Sequence, residues 1–142
     1  MPVLCDVNLL LAFSYDRHIH HTLALTWLDG QDDRTVLLCR TTQLSLLRLL
    51  CTASVMGTKV CTMVEAWSIY DTILRDDRFR YRAEPDAIEV ALRRFTQIRQ
   101  ISPRLWQDAY LAAFAVTADL QLVSFDRGFR QFAGLELTLL EV

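Results

Sequence analysis

The sequence predicts an α/β fold: one domain over residues 1–142, with a mostly parallel central sheet flanked by helices. Three observations carry that prediction. Short, wholly apolar runs of strand length alternate with longer segments whose apolar residues recur at helical spacing, the pattern of parallel strands joined by crossover helices. Hydrophobic residues make up 52% of the 142, enough for one sizeable core. Charged residues, at 23%, lie near the globular average, while glycine (4) and proline (3) are scarce. That balance excludes disordered, collagen-like and linker-rich architectures and leaves little room for a glycine-rich phosphate loop.

Taken in order, Val3-Leu4-Cys5 reads as the first buried strand, and Val36-Leu37-Leu38-Cys39 as the second. Between them Leu23, Ala24, Trp27 and Leu28 fall at helical spacing. Residues 42–52 are apolar nearly all round, so that helix is expected to be sandwiched. Thr62-Met63-Val64-Glu65 carries the capping-box pattern and opens a helix with Met63, Trp67, Tyr70 and Leu74 on one face. The stretch from Arg75 to Tyr81 looks loop-like. Pro85 stands in a first helical turn ahead of Ile88, Leu92, Phe95 and Ile98, and Pro103 does the same ahead of Leu105, Ala109, Ala112 and Val116. Leu122-Val123-Ser124-Phe125 and Leu137-Thr138-Leu139-Leu140 complete a set of four strands.

The formal charge of -2 rules out whole-molecule attraction to nucleic acid as the leading effect. The basic residues are nonetheless lopsided, since Lys59 is the one lysine among 15. Recognition of anions would therefore fall to arginine. Arg78-Phe79-Arg80-Tyr81-Arg82 alternates base and aromatic; as a strand it would aim Arg78, Arg80 and Arg82 to one face, either to meet RNA phosphates or to keep a sheet edge solvated. Arg48, alone on an apolar helix, is expected to pair with a buried acid. The four cysteines lack metal-ligand spacing, and no apolar run approaches membrane-spanning length; free thiols in a reducing cytoplasm, away from any membrane, are the expectation.

Three aspartates stand in apolar surroundings where a charge is costly: Asp6, Asp108 and Asp126. Asp6 follows the first strand and Asp126 the strand at 122–125, so both lie at the carboxyl edge of a parallel sheet, where open α/β folds bind ligands. A crossover helix runs antiparallel to the strands, so Asp108, near the start of the helix after Pro103, returns to the same edge. Gathered there, three carboxylates repel unless a cation lies between them. Such hard oxygen donors suit Mg²⁺ or Mn²⁺, and an ion so held can activate water for in-line attack on a phosphodiester. Taken singly, Asp6 could cap a helix and Asp126 could be a turn residue. His18, His20 and His21 lack the further ligands of a transition-metal site, and neither serine–histidine nor cysteine–histidine catalysis finds a supported pairing.

Cys5-Asp6-Val7-Asn8-Leu9-Leu10, Asp108-Ala109-Tyr110-Leu111-Ala112-Ala113 and Leu122-Val123-Ser124-Phe125-Asp126-Arg127-Gly128-Phe129 together resemble the PIN-domain nucleases. Cys39-Arg40-Thr41-Thr42-Gln43-Leu44-Ser45 through Leu50, and His20-His21 ahead of Trp27-Leu28, resemble the VapC toxin branch, especially its mycobacterial-type members. The resemblance implies a Mg²⁺- or Mn²⁺-dependent endoribonuclease toxin, homodimeric and neutralised by a VapB-like antitoxin, that leaves a 5′-phosphate and a 3′-hydroxyl. Asp6, Asp108 and Asp126 would be its metal-binding and catalytic carboxylates, with Asn8, Gln43 and Ser124 in support. One departure is Gln43, which stands where the family pattern carries glutamate. It removes a formal charge and opens the alternative of a catalytically impaired module that binds RNA or an antitoxin without cutting.

Overall fold

The computed structural model describes residues 1–141. Five strands, β1 (Val3–Cys5), β2 (Val36–Leu38), β3 (Phe79–Tyr81), β4 (Gln121–Ser124) and β5 (Leu137–Leu139), form one sheet in the order β3-β2-β1-β4-β5. Every pairing is parallel, with Leu4 opposite Leu37 on one side and Leu122 on the other. The chain steps outward from β1 through β2 to β3, then returns to lay β4 and β5 on the opposite side. The order therefore reverses between β1 and β4, and that reversal opens a crevice at their carboxyl ends.

Seven α-helices cover the sheet: α1 (Val7–Ser14), α2 (His21–Asp29), α3 (Arg40–Leu50), α4 (Ala53–Met56), α5 (Met63–Arg75), α6 (Ile88–Phe95) and α7 (Leu105–Thr117). Alternation along the strands builds two cores. Val3, Cys5, Val36, Leu38, Phe79 and Val123 pack under α1, α2, α3 and α5, whereas Leu4, Leu37 and Leu122 pack under α6 and α7. Burial on both faces explains why the strands read as unbroken apolar runs rather than as alternating ones.

Several expectations need correction. The sheet has a fifth strand, β3, inside the stretch that reads as a loop, in agreement with the edge strand that the alternation of base and aromatic offered; Phe79 is buried and Tyr81 exposed. Cys39 belongs to no strand and instead caps α3, where its backbone N–H donates to the Thr42 hydroxyl at 3.0 Å. Helix α3 is not sandwiched: Leu46 and Leu50 are buried, but Leu44 is 56% exposed and Arg48 faces solvent without a carboxylate partner among the described residues. The capping box of α5 is present, Thr62 N–H to Glu65 Oε1 at 2.9 Å and Glu65 N–H to Thr62 Oγ1 at 3.2 Å. The buried face of α5, however, is Ala66 and Tyr70, and Met63 and Trp67 are turned outward. Pro85 precedes α6 without entering it, because Ala87 takes a left-handed conformation (φ 61°) before the helix begins. Ile98 lies beyond that helix and is exposed.

Candidate active site

Asp6, Asp108 and Asp126 share one cleft of about 180 Å³ at the carboxyl edge of β1 and β4. Asp6 is buried. Its backbone N–H donates to the Val123 carbonyl at 3.1 Å, which continues the ladder between the strands. Its side chain caps α1: Oδ1 accepts from the Val7 N–H at 2.7 Å, and Oδ2 accepts from the Ser124 hydroxyl at 2.7 Å. The Ser124 oxygen in turn accepts the Asp126 N–H at 2.9 Å. Asp126, exposed, caps the 3-10 turn Arg127–Gln131 through the Gly128 N–H at 2.8 Å. Both structural roles weighed for these acids, the cap and the turn, are thus realised together with their gathering in one cleft.

Gly128 lets the turn approach closely, because a Cβ there would stand 3.1 Å from Asp126 Oδ1 and press on it. Asp108 arrives differently. It lies in the first turn of α7, half-buried, and no hydrogen bond to its carboxylate is formed among the described residues. Burial, then the Asp6 charge, then that of Asp126 push its carboxyl up to about 6, from an ordinary 3.8. Burial also raises Asp6, against the lowering pull of the Ser124 and Val7 hydrogen bonds.

Asn8 lines the cleft with Thr41, Thr42, Ser45 and Gln107. Among these only Asn8 is anticipated by motif. Thr41 and Ser45, polar and four residues apart on a largely apolar helix, are the signal that could have revealed the α3 wall. Gln43 is not on that wall. It is 5% exposed, lies against Tyr70, and its Oε1 accepts from Arg40 Nη1 at 2.6 Å. Arg78 is likewise occupied elsewhere: its guanidinium grips Asp76 through two bonds of 2.9 and 2.7 Å and donates to the Leu28 carbonyl at 3.0 Å. Arg80 donates to its neighbour's carbonyl at 2.8 Å, and only Arg82 is exposed. The three therefore do not form one RNA-facing row, and Arg78 is a structural clamp.

The histidines also serve the scaffold. His21 Nδ1 lies 2.6 Å from the Ala12 carbonyl, His18 Nδ1 accepts the His20 N–H at 3.0 Å, and the His20 ring stacks on Phe125 with centroids 4.6 Å apart.

The donor set fits a small hard cation. Mg²⁺ needs only one or two protein carboxylates and completes its shell with water, and the burial and then the carboxylate repulsion that raise Asp108 are what such a charge would relieve. As the side chains stand, no group of three His, Cys, Asp or Glu residues among those described is closed around one point. Larger concavities lie elsewhere, such as the groove of about 480 Å³ between α1, α2 and α5, but its walls are mainly apolar and its one acid, Asp76, is already paired with Arg78.

Comparison with known proteins agrees with this geometry. Residues 3–135 match the PIN domain. The chain is 43% identical over 143 residues to ribonuclease VapC41 of Mycobacterium tuberculosis, covering 97% of this chain and 98% of the relative. Its fold is similar to the crystal structure of VapBC2 from Rickettsia felis bound to a DNA fragment from their promoter (TM-score 0.71, 14% identity, 99% of this chain and 100% of the other). A toxin–antitoxin complex from Klebsiella pneumoniae is also similar (TM-score 0.61, 17% identity, 98% of each). With that coverage, and with the three acids of the motif gathered in one cleft, the chain belongs to the PIN-domain family, in its VapC branch.

Proposed function

We propose that this protein is an endoribonuclease toxin of the VapC type, held in check by a VapB-like antitoxin and acting in the cytoplasm on cellular RNA. The observation that carries the reading is the cleft itself, in which Asp6, Asp108 and Asp126 meet with their charges unrelieved. The 43% identity to a ribonuclease over nearly the whole chain supports the reaction, and the likeness to a toxin–antitoxin complex supports the partner.

In this reading Asp6, Asp108 and Asp126 would hold Mg²⁺ or Mn²⁺. A bound divalent ion supplies positive charge for the developing phosphorane and eases loss of a proton from water. The chain's own residues do the rest. Ser124 and the Val7 N–H fix both oxygens of Asp6, so that carboxylate presents a constant geometry. The Gly128 N–H orients Asp126, and Asn8, Thr41, Ser45 and Gln107 offer neutral donors and acceptors to the RNA backbone without adding charge. Water enters in line with the departing oxygen, leaving a 5′-phosphate and a 3′-hydroxyl. Gln43 lies outside the cleft lining, so the three-acid site does not depend on it, and this favours the enzyme over a non-cutting module.

A homodimer is part of the same proposal. The groove of Leu44, Leu47, Met63 and Trp67 on α3 and α5 supplies apolar surface for a second copy, and sedimentation of the purified chain tests it. The decisive experiment on activity is cleavage of a panel of single-stranded and structured RNAs by antitoxin-free protein in Mn²⁺, in EDTA, and with Asp108→Asn. Cleavage is expected only in the first arm. A folded protein that cuts nothing in Mn²⁺, or cuts equally well in EDTA, would sink the reading.

A further inference from the structure

Arg40 opens α3 immediately before Thr41, which lines the acid cleft. Its guanidinium carbon lies 5.1 Å above the centroid of the Tyr81 ring, and Nη1 donates to the buried Gln43 Oε1. Tyr81 ends β3 at the carboxyl edge of the sheet and is 40% exposed. The loop beyond it is tied to α7 by the Tyr110 hydroxyl, two residues past Asp108, which donates to Glu84 at 2.8 Å. Arg40 is exposed and has no carboxylate partner among the described residues.

A cleft of three carboxylates repels a polyanion, so an RNA strand needs a cationic hold at its rim. A guanidinium held over an aromatic ring meets two needs at once, since its outer face can stack on a nucleobase and its free N–H groups reach phosphate. We propose that Arg40 and Tyr81 form a nucleobase subsite beside the acid cleft, with Gln43 as the positioning residue that anchors the guanidinium over the ring. The proposal rests on the ribonuclease reading and names where that enzyme grips a base. It also gives Gln43 a use that a glutamine performs without altering the charge of the cleft.

The test measures affinity rather than cutting. Asp108→Asn protein in Mg²⁺ is titrated against a labelled single-stranded RNA and against the same strand made abasic, followed by fluorescence anisotropy. Adding Arg40→Met or Tyr81→Leu should weaken RNA binding about tenfold, within the range for one stacked base. Tyr81→Phe should keep the affinity. Gln43→Leu should weaken binding severalfold, and Gln43→Glu, which retains an acceptor for Arg40, should restore it. On the abasic strand these losses should shrink markedly, leaving for Arg40→Met only the smaller part due to its phosphate contact.

The proposal is overturned if Arg40→Met and Tyr81→Leu melt normally and bind RNA as the parent does, or if the loss is equal on the abasic strand. It is also overturned if the substitutions abolish binding of an antitoxin while leaving RNA affinity intact, since the pair would then be a protein-docking feature. Failure of the ribonuclease reading shows separately, as absence of metal-dependent cleavage by the unsubstituted chain.

Discussion

Two corners of one cleft are built by opposite means. At the β1–β4 corner, Asp6 and Asp126 are knitted together through Ser124, and each carboxylate accepts a backbone N–H from the chain just ahead of it. On the facing wall Asp108 has only the rigidity of α7 to place it, and it carries the repulsion of the other two. A carboxylate supplied with donors has part of its burial cost offset by the fold, whereas one left without them bears it in full. The second kind of residue is where stability has been given up for chemistry.

The strongest way to break the contrast is Asp108→Asn. Cleavage should fall by at least about 100-fold, the scale seen when a single charged or oriented group is removed from an active site. The same protein, assayed without metal at neutral pH, should melt a few degrees higher than the parent because a repelled charge is gone. Loss of both activity and stability would mean that Asp108 also supports the fold.

Ser124→Ala attacks the other corner. It strands one Asp6 oxygen and the Asp126 N–H, and a buried group left unpaired costs about 1–3 kcal/mol. Activity should drop about 10- to 100-fold, as is usual when a residue that orients a metal ligand is removed, and the melting temperature should fall rather than rise. Urea unfolding beside a cleavage assay reads both.

The third prediction concerns pH. The folded Asp108 carboxyl releases its proton near 6 and the unfolded one near 3.8, so between those values the native state binds more protons. Metal-free stability should therefore decline as pH rises through that window and level off above it, with Asp6 adding in the same direction. The decline should be shallower in Asp108→Asn and largely cancelled by Mn²⁺. Melting curves at pH 4.5, 5.5 and 7.5 measure it, and a parent and variant with identical slopes would contradict the assignment.

Gly128→Ala should have the smallest effect. Its Cβ would press on Asp126 Oδ1 from 3.1 Å, so the carboxylate must give by a few tenths of an ångström. A severalfold fall in cleavage with little change in melting temperature is expected, because Asp126 is exposed and its shift costs the fold little.

What the sequence disclosed follows the same division. Asp6 and Asp126 were legible because parallel strands announce themselves as apolar runs, and whatever follows such a run stands at the carboxyl edge. Asp108 was legible because an aspartate is out of place beside an alanine-rich core face. The α3 wall was harder. Gln43 entered the site through the family pattern alone, and consecutive helical residues point about 100° apart, so Gln43 lies on nearly the opposite side of the helix from Thr41. An aliphatic pattern as even as Leu44 to Leu50 does not set that rotation; packing against α1 and α5 does. Strand β3 was legible as an edge strand through its alternation of base and aromatic, but not as an apolar run, because only Phe79 of its three residues is buried.

The bond from Ser124 to Asp6 joins residues 118 positions apart. Synthesis runs from the amino end, so Asp6 and the first three strands emerge long before their partners are made. Until β4 has left the ribosome and slid in beside β1, the sheet is open at the place where the cleft will form. A nascent or prematurely ended chain thus lacks Asp126 and the hydroxyl that fixes Asp6. The acid cleft of this molecule is therefore complete only when β4 has paired with β1, late in the chain's emergence.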